Sequence, residues 1–570
     1  MRILSKAKVL SWRSITEAIN SKPLVSSVVY VILLFLISFF FIGIQYGGNE
    51  DFYFSRIASG GNGSYDGVFC YVAPIYSAAL AKLGLITHGM SVHSFFLVLF
   101  ILISFCFISY VLVKRTQRLL SALILTPVIL LTFALPDYTT IAYLCSIAGA
   151  VVAYYACDNF DMPKHSFYIL FISGLFLVFI GVLLRAQSLY TSIPCILVLF
   201  LLFYKKQKKQ TIKYFGLFIL LAVLLTVFLP MIKWGAFNSQ EYKDYIRYNN
   251  ARTALLDSKE LNYSKYRDVF EEIGWTENDH EQFYYWAFQD SEKYSVEKLE
   301  RLVPLANRQR WNFNPKDFFS LAVTVSKKPQ FIMTMGIFTF LCVAAFILQK
   351  KKRKLVILTF LMSNGIHAAF LLYNRSVYRV VAPHYWLGII IILYFWNMSD
   401  MQGAIDKIKR KKLQQAVKVS KVAAPAALLV LSVLMACSIA QPLVSSYTKP
   451  SWAIAEFREF AAQNRDKVFL GDNPYVYYVP GIFMPIEFGE SQNLLGGSVD
   501  INSLRELEIK RRFGIKNPVK EMIYRDDIYY MSVYRDDLIW ECLKEYEPEV
   551  QRELVTQIGF IRVYNYYLPQ

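Results

Sequence analysis

At 570 residues the chain is long enough for several domains, yet only 18% of it is charged and 55% is hydrophobic, with a mean hydropathy of +0.34. Soluble chains carry about 25% charged residues, so an ordinary soluble protein is excluded. The net charge of +18 does not mark a nucleic-acid binder either, because the lysines and arginines fall in short runs between apolar segments.

Eleven apolar runs approach the roughly 20 residues that a bilayer span needs. They lie at about 24–46, 91–113, 119–135, 138–157, 166–184, 188–204, 214–232, 329–349, 355–373, 380–397 and 422–441. The first is too long for a signal-peptide core and no small-residue cleavage site follows it, so it reads as a retained span. The segments 1–22, 114–118, 158–165, 205–213, 350–354 and 398–421 together hold 26 Lys and Arg against 5 acids. The tail 442–570 holds 15 against 19. The positive-inside rule then puts the N-terminus and all six basic segments in the cytoplasm. The loops 47–90 and 233–328 and the tail 442–570 fall outside. The fold class expected is mainly α, a polytopic membrane bundle at 1–441 with extracytoplasmic loops, followed by a small α/β domain at 442–570.

Directly after the first run come Asn49, Glu50 and Asp51. A carboxylate where the chain leaves a bilayer is partly desolvated, and desolvation raises its pKa toward that of a working general base. A local role is compatible with this: Asn49 can cap a short helix whose first turn, with Glu50 and Asp51, welcomes acids. Asp51 ranks first as base and Glu50 second. The apolar stretch Val68–Leu85, broken by Pro74, is expected to lie along the membrane interface.

Arg185 ends a span in apolar surroundings, where an arginine either snorkels or meets an anion such as a lipid phosphate. Glu241, Tyr245, Tyr248 and Arg252 share a helical spacing, and Thr276 with Asp279 forms a capping box. Tyr248, Asn249, Asp257 and Trp275 lie in this aromatic segment and are candidate sugar contacts, although aromatics at helical spacing more often form core. Arg375 and Arg379 sit in a linker with no acid, on the side where basic residues are otherwise avoided. Arginine matches phosphate bidentately, so these two, with Arg185 and Arg252, are the candidate phosphate ligands.

In the tail, Lys467–Leu470 and Phe560–Tyr564 read as strands, Ser451–Gln463 and Asp536–Tyr546 as helices. Asp526-Asp527 and Asp536-Asp537, each after an arginine, read as helix caps. Cys70 and Cys542 are the two cysteines expected outside, where an oxidising compartment would let them pair. No nucleotide fingerprint, zinc spacing or nucleophile elbow is present. No metal ligand set is complete, though Glu50 and Asp51 with other acids would suit a divalent ion.

Several of these stretches, in this order, resemble the GT-C glycosyltransferases. They are Asn49-Glu50-Asp51-Phe52 with Ser59-Gly60, Tyr138-Thr139-Thr140 with Ala142, Leu184-Arg185, Tyr248-Asn249 with Arg252 and Asp257, and Arg375 with Arg379. More narrowly, they are similar to membrane proteins of bacterial surface-polysaccharide loci. The resemblance implies a multi-pass enzyme of the bacterial cytoplasmic membrane. It would move a sugar from a polyprenyl-phosphate donor to a hydroxyl of a glycan acceptor, with inversion and without a nucleotide site. The alternatives are a flippase for lipid-linked oligosaccharide, or a polysaccharide polymerase or ligase of another fold. Charge within the spans is sparse, which argues against a transport pathway.

Overall fold

The computed structural model describes residues 22–116, 120–193, 196, 209–310, 314–373, 376–396, 411–447, 451–471, 481–496, 499–533 and 535–569. Eight helices among them are long and apolar enough to cross a membrane: Pro23–Ile42, Val92–Thr116, Tyr138–Asp158, Lys164–Arg185, Lys209–Met231, Pro329–Leu348, Lys350–Leu372 and Ala427–Ser446. Tyr378–Tyr394, at 17 residues, is an apolar helix a little shorter than these.

The expected span at 119–135 runs alongside Pro23–Ile42 in two pieces, with the Tyr30 hydroxyl bonded to Ala122 O and Thr126 at one end and Gln45 N to Ala134 O at the other. It breaks into Leu120–Leu123 and the nine-residue helix Thr126–Ala134. Pro127 lacks an N–H and restarts the helix after the break. The expected span at 188–204 lies largely outside the described residues.

The helices around the site are α1 (Pro23–Ile37, continued by a π-helical turn over Ser38–Ile42), α2 (Asn49–Ala58), α3 (Pro74–Thr87), α4 (Val92–Thr116), α5 (Tyr138–Asp158) and α6 (Lys164–Arg185). Helix α5 is buried on every side. It can be, because small residues let α6 touch its backbone: a Cβ on Gly149 would stand 2.5 Å from the carbonyl oxygen of Gly174, and one on Gly181 would stand 2.7 Å from that of Ala142. Lipid offers no hydrophobic drive between helices, so such close contact is what holds them together. The stretch Val68–Leu85, expected at the interface, forms α3 from Pro74 onward and packs on α2 and α4.

The segment between the two groups of spans carries α7 (Gln240–Leu256), α8 (Glu277–Tyr284) and α9 (Val296–Arg310). The expected capping box is present: the Thr276 side chain accepts from the Asp279 N–H, and Asp279 accepts from that of Thr276. After α10 (Tyr378–Tyr394) and α11 (Lys411–Tyr447) comes a five-stranded mixed sheet. Its strands are β1 (Val468–Gly471), β2 (Leu494–Gly496), β3 (Ile528–Ser532), β4 (Gln551–Ile558) and β5 (Ile561–Tyr567), in the order β2-β1-β3-β5-β4. The β2-β1-β3 pairs are parallel, and β3-β5 and β5-β4 are antiparallel. Ser451–Gln463 and Asp536–Tyr546 are helices as expected.

Three local expectations are corrected. Asp526-Asp527 precedes β3 and caps no helix; Arg525 binds Asp527 at 2.7 Å instead. Gly48, not Asn49, is the N-cap of α2. Cys70 and Cys542 are unpaired and buried in separate cores, Cys70 among the spans and Cys542 in the tail domain. Lys293 ties the middle segment to that domain, 2.5 Å from both Asp279 and Glu545.

Candidate active site

The turn Gln45–Gly48 carries the chain from α1 to α2. It is pinned to the turn before α5 by hydrogen bonds from Gln45 N to Ala134 O (3.0 Å) and from Gly47 N to Pro136 O (2.8 Å). Gly48 passes so close to the acids that a Cβ there would lie 2.6 Å from Asp137 Oδ2 and 3.1 Å from Asp51 Oδ2. The first turn of α2 is thereby set against the N-terminus of α5, where Asp137 accepts from Thr140 N at 2.9 Å as the N-cap.

Glu50 and Asp51 then part company. One residue along a helix turns the side chain by about 100°. Asp51 points inward and is fully buried. Its Oδ1 lies 2.8 Å from Nε2 of His93 and 3.2 Å from the backbone N–H of Tyr138, which it caps. Tyr76 continues the chain, its hydroxyl 2.9 Å from His93 Nδ1. Burial, with the charges of Asp137 and Glu50, pushes the Asp51 carboxyl well above the usual range, against the pull of the Tyr138 N–H and Arg379. Asp51 is thus a buried carboxyl tied to His93 and to the Tyr138 N–H.

Glu50 points the other way, and its side chain remains 20% exposed. Arg379, in the first turn of α10, reaches Glu50 Oε2 at 3.5 Å and Asp137 Oδ2 at 3.3 Å with the same Nη1. Burial raises the Glu50 carboxyl, but Arg379, a backbone N–H, Arg185 and Arg252 outweigh it and hold Glu50 below its ordinary value. Glu50 is an ionised, partly exposed carboxylate bordered by cations.

Arg185 closes α6 and donates to Tyr138 Oη at 3.0 Å and to Thr139 Oγ1 at 2.7 Å. Its guanidinium sits 6.0 Å from the ring of Tyr71. The Tyr71 hydroxyl in turn accepts from Nη2 of Arg252 at 2.9 Å, and Asn249 Oδ1 accepts from the same nitrogen at 2.7 Å. Nε of Arg252 is buried without a hydrogen-bond partner among the described residues. Tyr71 (φ 73°) and Trp286 (φ 66°) both adopt the left-handed backbone that side chains avoid, and both border Arg252, with the Trp286 ring 5.7 Å from its guanidinium. Strain of this kind, about 1–3 kcal/mol each, concentrates at functional sites.

The structure thus gathers Glu50, Asp51, Arg379, Arg185, Arg252 and Asn249 of the expected residues. Arg375 lies outside the described residues. Asp257 follows α7 at its C-terminal end. Tyr248 is buried in the core of the middle segment. Trp275 is 2% exposed, its ring stacks on Phe270 at 5.9 Å and its indole N–H donates to Lys293 O. Trp286, 43% exposed, lies over Arg252. Asp137, His93, Tyr138 and Thr139 complete the cluster beyond the expected residues. The corner Pro136–Thr140 was the available signal for three of them, whereas nothing in the apolar run around His93 marks it. Among the described residues no three His, Cys, Asp or Glu side chains are grouped to hold a metal ion.

The tail domain grips α2 from behind. Arg56, fully buried, pairs with Glu490 at 3.3 Å, and Glu490 also binds Arg458 at 3.5 Å. Tyr53 Oη donates to Asp500 Oδ1 at 3.0 Å, and Asp500 further accepts from Ser503 and pairs with Arg505. Gly61 O accepts from both N and Oγ of Ser491 at 2.7 Å. The helix that carries Glu50 is held on two sides by groups more than 400 residues away.

No protein-family model matches the chain, and no curated protein matches it. Two crystal structures are similar to it in outline. ArnT from Cupriavidus metallidurans in the apo state gives a TM-score of 0.40 at 10% identity, and the same protein bound to undecaprenyl phosphate gives 0.41 at 12%. Each comparison covers 96% of this chain and 99% of the other. At that level of likeness, what the cluster can do has to come from its own geometry.

Proposed function

We propose that the chain is an integral-membrane glycosyltransferase that moves a sugar from a polyprenyl-phosphate donor to a hydroxyl of a glycan acceptor. The observation that carries this reading is Arg379 shared between Glu50 and Asp137, at one end of an apolar helix bundle and within the field of Arg185 and Arg252. A lipid-anchored phosphate arrives at such an end from the bilayer, and an aqueous acceptor from the loops.

Glu50 is the proton acceptor in this reading. The acceptor oxygen attacks the anomeric carbon as its proton passes to Glu50. The bond from that carbon to the phosphate oxygen breaks, and the phosphate leaves with the electron pair. A phosphate departs without a proton, so no general acid is needed; Arg379 and Arg185 receive the charge. Single displacement inverts the anomeric carbon. Donor binding also prepares the base. Once the phosphate engages Arg379, Glu50 loses part of its cationic partner and gains an anionic neighbour, and both changes raise its pKa. Trp286 offers a ring face to a sugar beside Arg252. Asp51, His93 and Tyr76 hold α2 against α5. By the lysine distribution, the site faces the outside of the cytoplasmic membrane, with the N-terminus inside.

The test is reconstitution of the purified protein into vesicles with a radiolabelled polyprenyl-phosphate sugar and glycan acceptors. Transfer that disappears in Glu50→Gln supports the reading. Movement of the lipid across the bilayer without transfer would establish a flippase instead.

A further inference from the structure

Where α1 ends, three consecutive phenylalanines stand out from the protein: Phe39, Phe40 and Phe41 are 46%, 69% and 70% exposed. They continue the surface of a helix long and apolar enough to cross a bilayer. Against them lies a piece of the tail domain, Gly481–Phe488, with the sequence Gly-Ile-Phe-Met-Pro-Ile-Glu-Phe. The ring of Phe483 is 5.9 Å from that of Phe39. Ile486 N donates to Gly89 O at 2.8 Å, which seats the piece beside the exposed Ile86 and Met90 at the end of α3.

The two isoleucines of this piece, Ile482 and Ile486, turn inward and are 1% and 2% exposed. Phe483, Met484 and Phe488 turn outward, 43%, 49% and 60% exposed. Packing accounts for the isoleucines and leaves the outward set unexplained. A continuous exposed apolar surface of this kind marks a partner.

We propose that Gly481–Phe488 is a lipid anchor, with Phe483 and Met484 inserted in the bilayer interface beside the end of the first span. The occupant is lipid because the surface runs without a break from the lipid-facing side of that span through Phe39 onto Phe483. Apolar and aromatic side chains lying at the headgroup boundary bind by buried area, as interfacial segments do. Two residues beyond the anchor, Glu490 pairs with Arg56 of α2. The domain's seat on the membrane and the position of the helix bearing Glu50 are therefore one mechanical unit.

The experiment uses the full chain in nanodiscs of phosphatidylethanolamine and phosphatidylglycerol, doped with a phospholipid that carries a photoactivatable diazirine at the top of its acyl chain. Adducts are mapped by peptide mass spectrometry. Adducts on 481–488 as well as on 39–41, and not on the exposed Leu554 and Val555 of β4, are the expected result. Labelling of 39–41 with none on 481–488 overturns the proposal. So does an intermolecular disulfide that forms on oxidation of Phe483→Cys in vesicles and not in the parent chain, which would make this face an interface between chains. In the double variant Phe483→Asp, Met484→Asp, adducts on 481–488 are lost while those on 39–41 persist. If they persist unchanged on 481–488, these two side chains are not the anchor.

Discussion

Glu50 and Asp51 are neighbours in the chain with opposite expected responses to losing a charge. Glu50→Gln keeps the size of the side chain and removes the proton acceptor. Its pairing with Arg379 spans 3.5 Å, and Arg379 keeps Asp137 at 3.3 Å when Glu50 is neutral, so no buried charge is left unpaired. Positioned general bases contribute about 10²–10⁴-fold, and transfer should fall by that factor with the unfolding midpoint nearly unchanged. Asp51→Asn reverses the pattern. That carboxyl is fully buried and its Oδ1 serves both His93 and the Tyr138 N–H; an amide that keeps its oxygen there sets an NH2 donor in place of Oδ2, 3.4 Å from the same N–H and without an acceptor of its own. A buried partner left unsatisfied costs about 1–3 kcal/mol, so the variant should unfold earlier yet retain most transfer per folded molecule. The assay pairs radiolabel transfer in vesicles with thermal unfolding in detergent, both normalised to folded protein. An Asp51→Asn variant that is inactive but as stable as wild type, beside an active Glu50→Gln, would refute the assignment and make Asp51 the base.

Arg379→Ala should raise the donor KM roughly 10- to 150-fold, from the ~1.5–3 kcal/mol of a charged hydrogen bond to phosphate, read from initial rates against donor concentration. The pH–rate profile carries a sign. Glu50 is held below its ordinary value in the free protein, so the acid limb of kcat/KM should lie below that of a free glutamate; the acid limb of kcat should lie higher, because bound phosphate opposes Arg379. Coincident limbs would count against donor-assisted activation of Glu50. Gly48→Ala should lose about 1–3 kcal/mol of stability along with activity, because its Cβ would meet Asp137 Oδ2 at 2.6 Å; unchanged midpoint and rate would contradict the packing described. In a cysteine-accessibility assay, Ser446→Cys should label from outside and Lys351→Cys from inside, and the reverse pattern would place the site in the cytoplasm.

Much of the fold was legible because it is encoded locally. An apolar run of 20 residues must become a helix in lipid, since no other open structure satisfies its backbone, and eight such helices are present among the described residues. The Thr276–Asp279 capping box, the helix at Asp536–Tyr546 and the strand at Val468–Gly471 follow from a few adjacent side chains. Local hydropathy located the run at 119–135 but not its break, where Pro127 divides the helix.

The candidate site was half legible for the same reason. The sequence by itself located the acids after the first span and the arginines at Arg185, Arg252 and Arg379, because charge beside apolar runs is conspicuous. It could not say which acid is buried and which stays partly exposed. Glu50 and Asp51 differ by about 100° around a helix, and that helix has Tyr46, Phe52 and Phe54 buried about it, so no polar stripe marks its open side. Only the packing of α2 against the N-terminus of α5 decided it, sealing Asp51 against His93, 42 positions away, and leaving Glu50 to share Arg379 with Asp137. The grip of Glu490 and Asp500 on α2 is likewise a tertiary fact. Contacts across more than 400 residues leave no period or spacing in the chain, because they are fixed by where two separately folded surfaces meet.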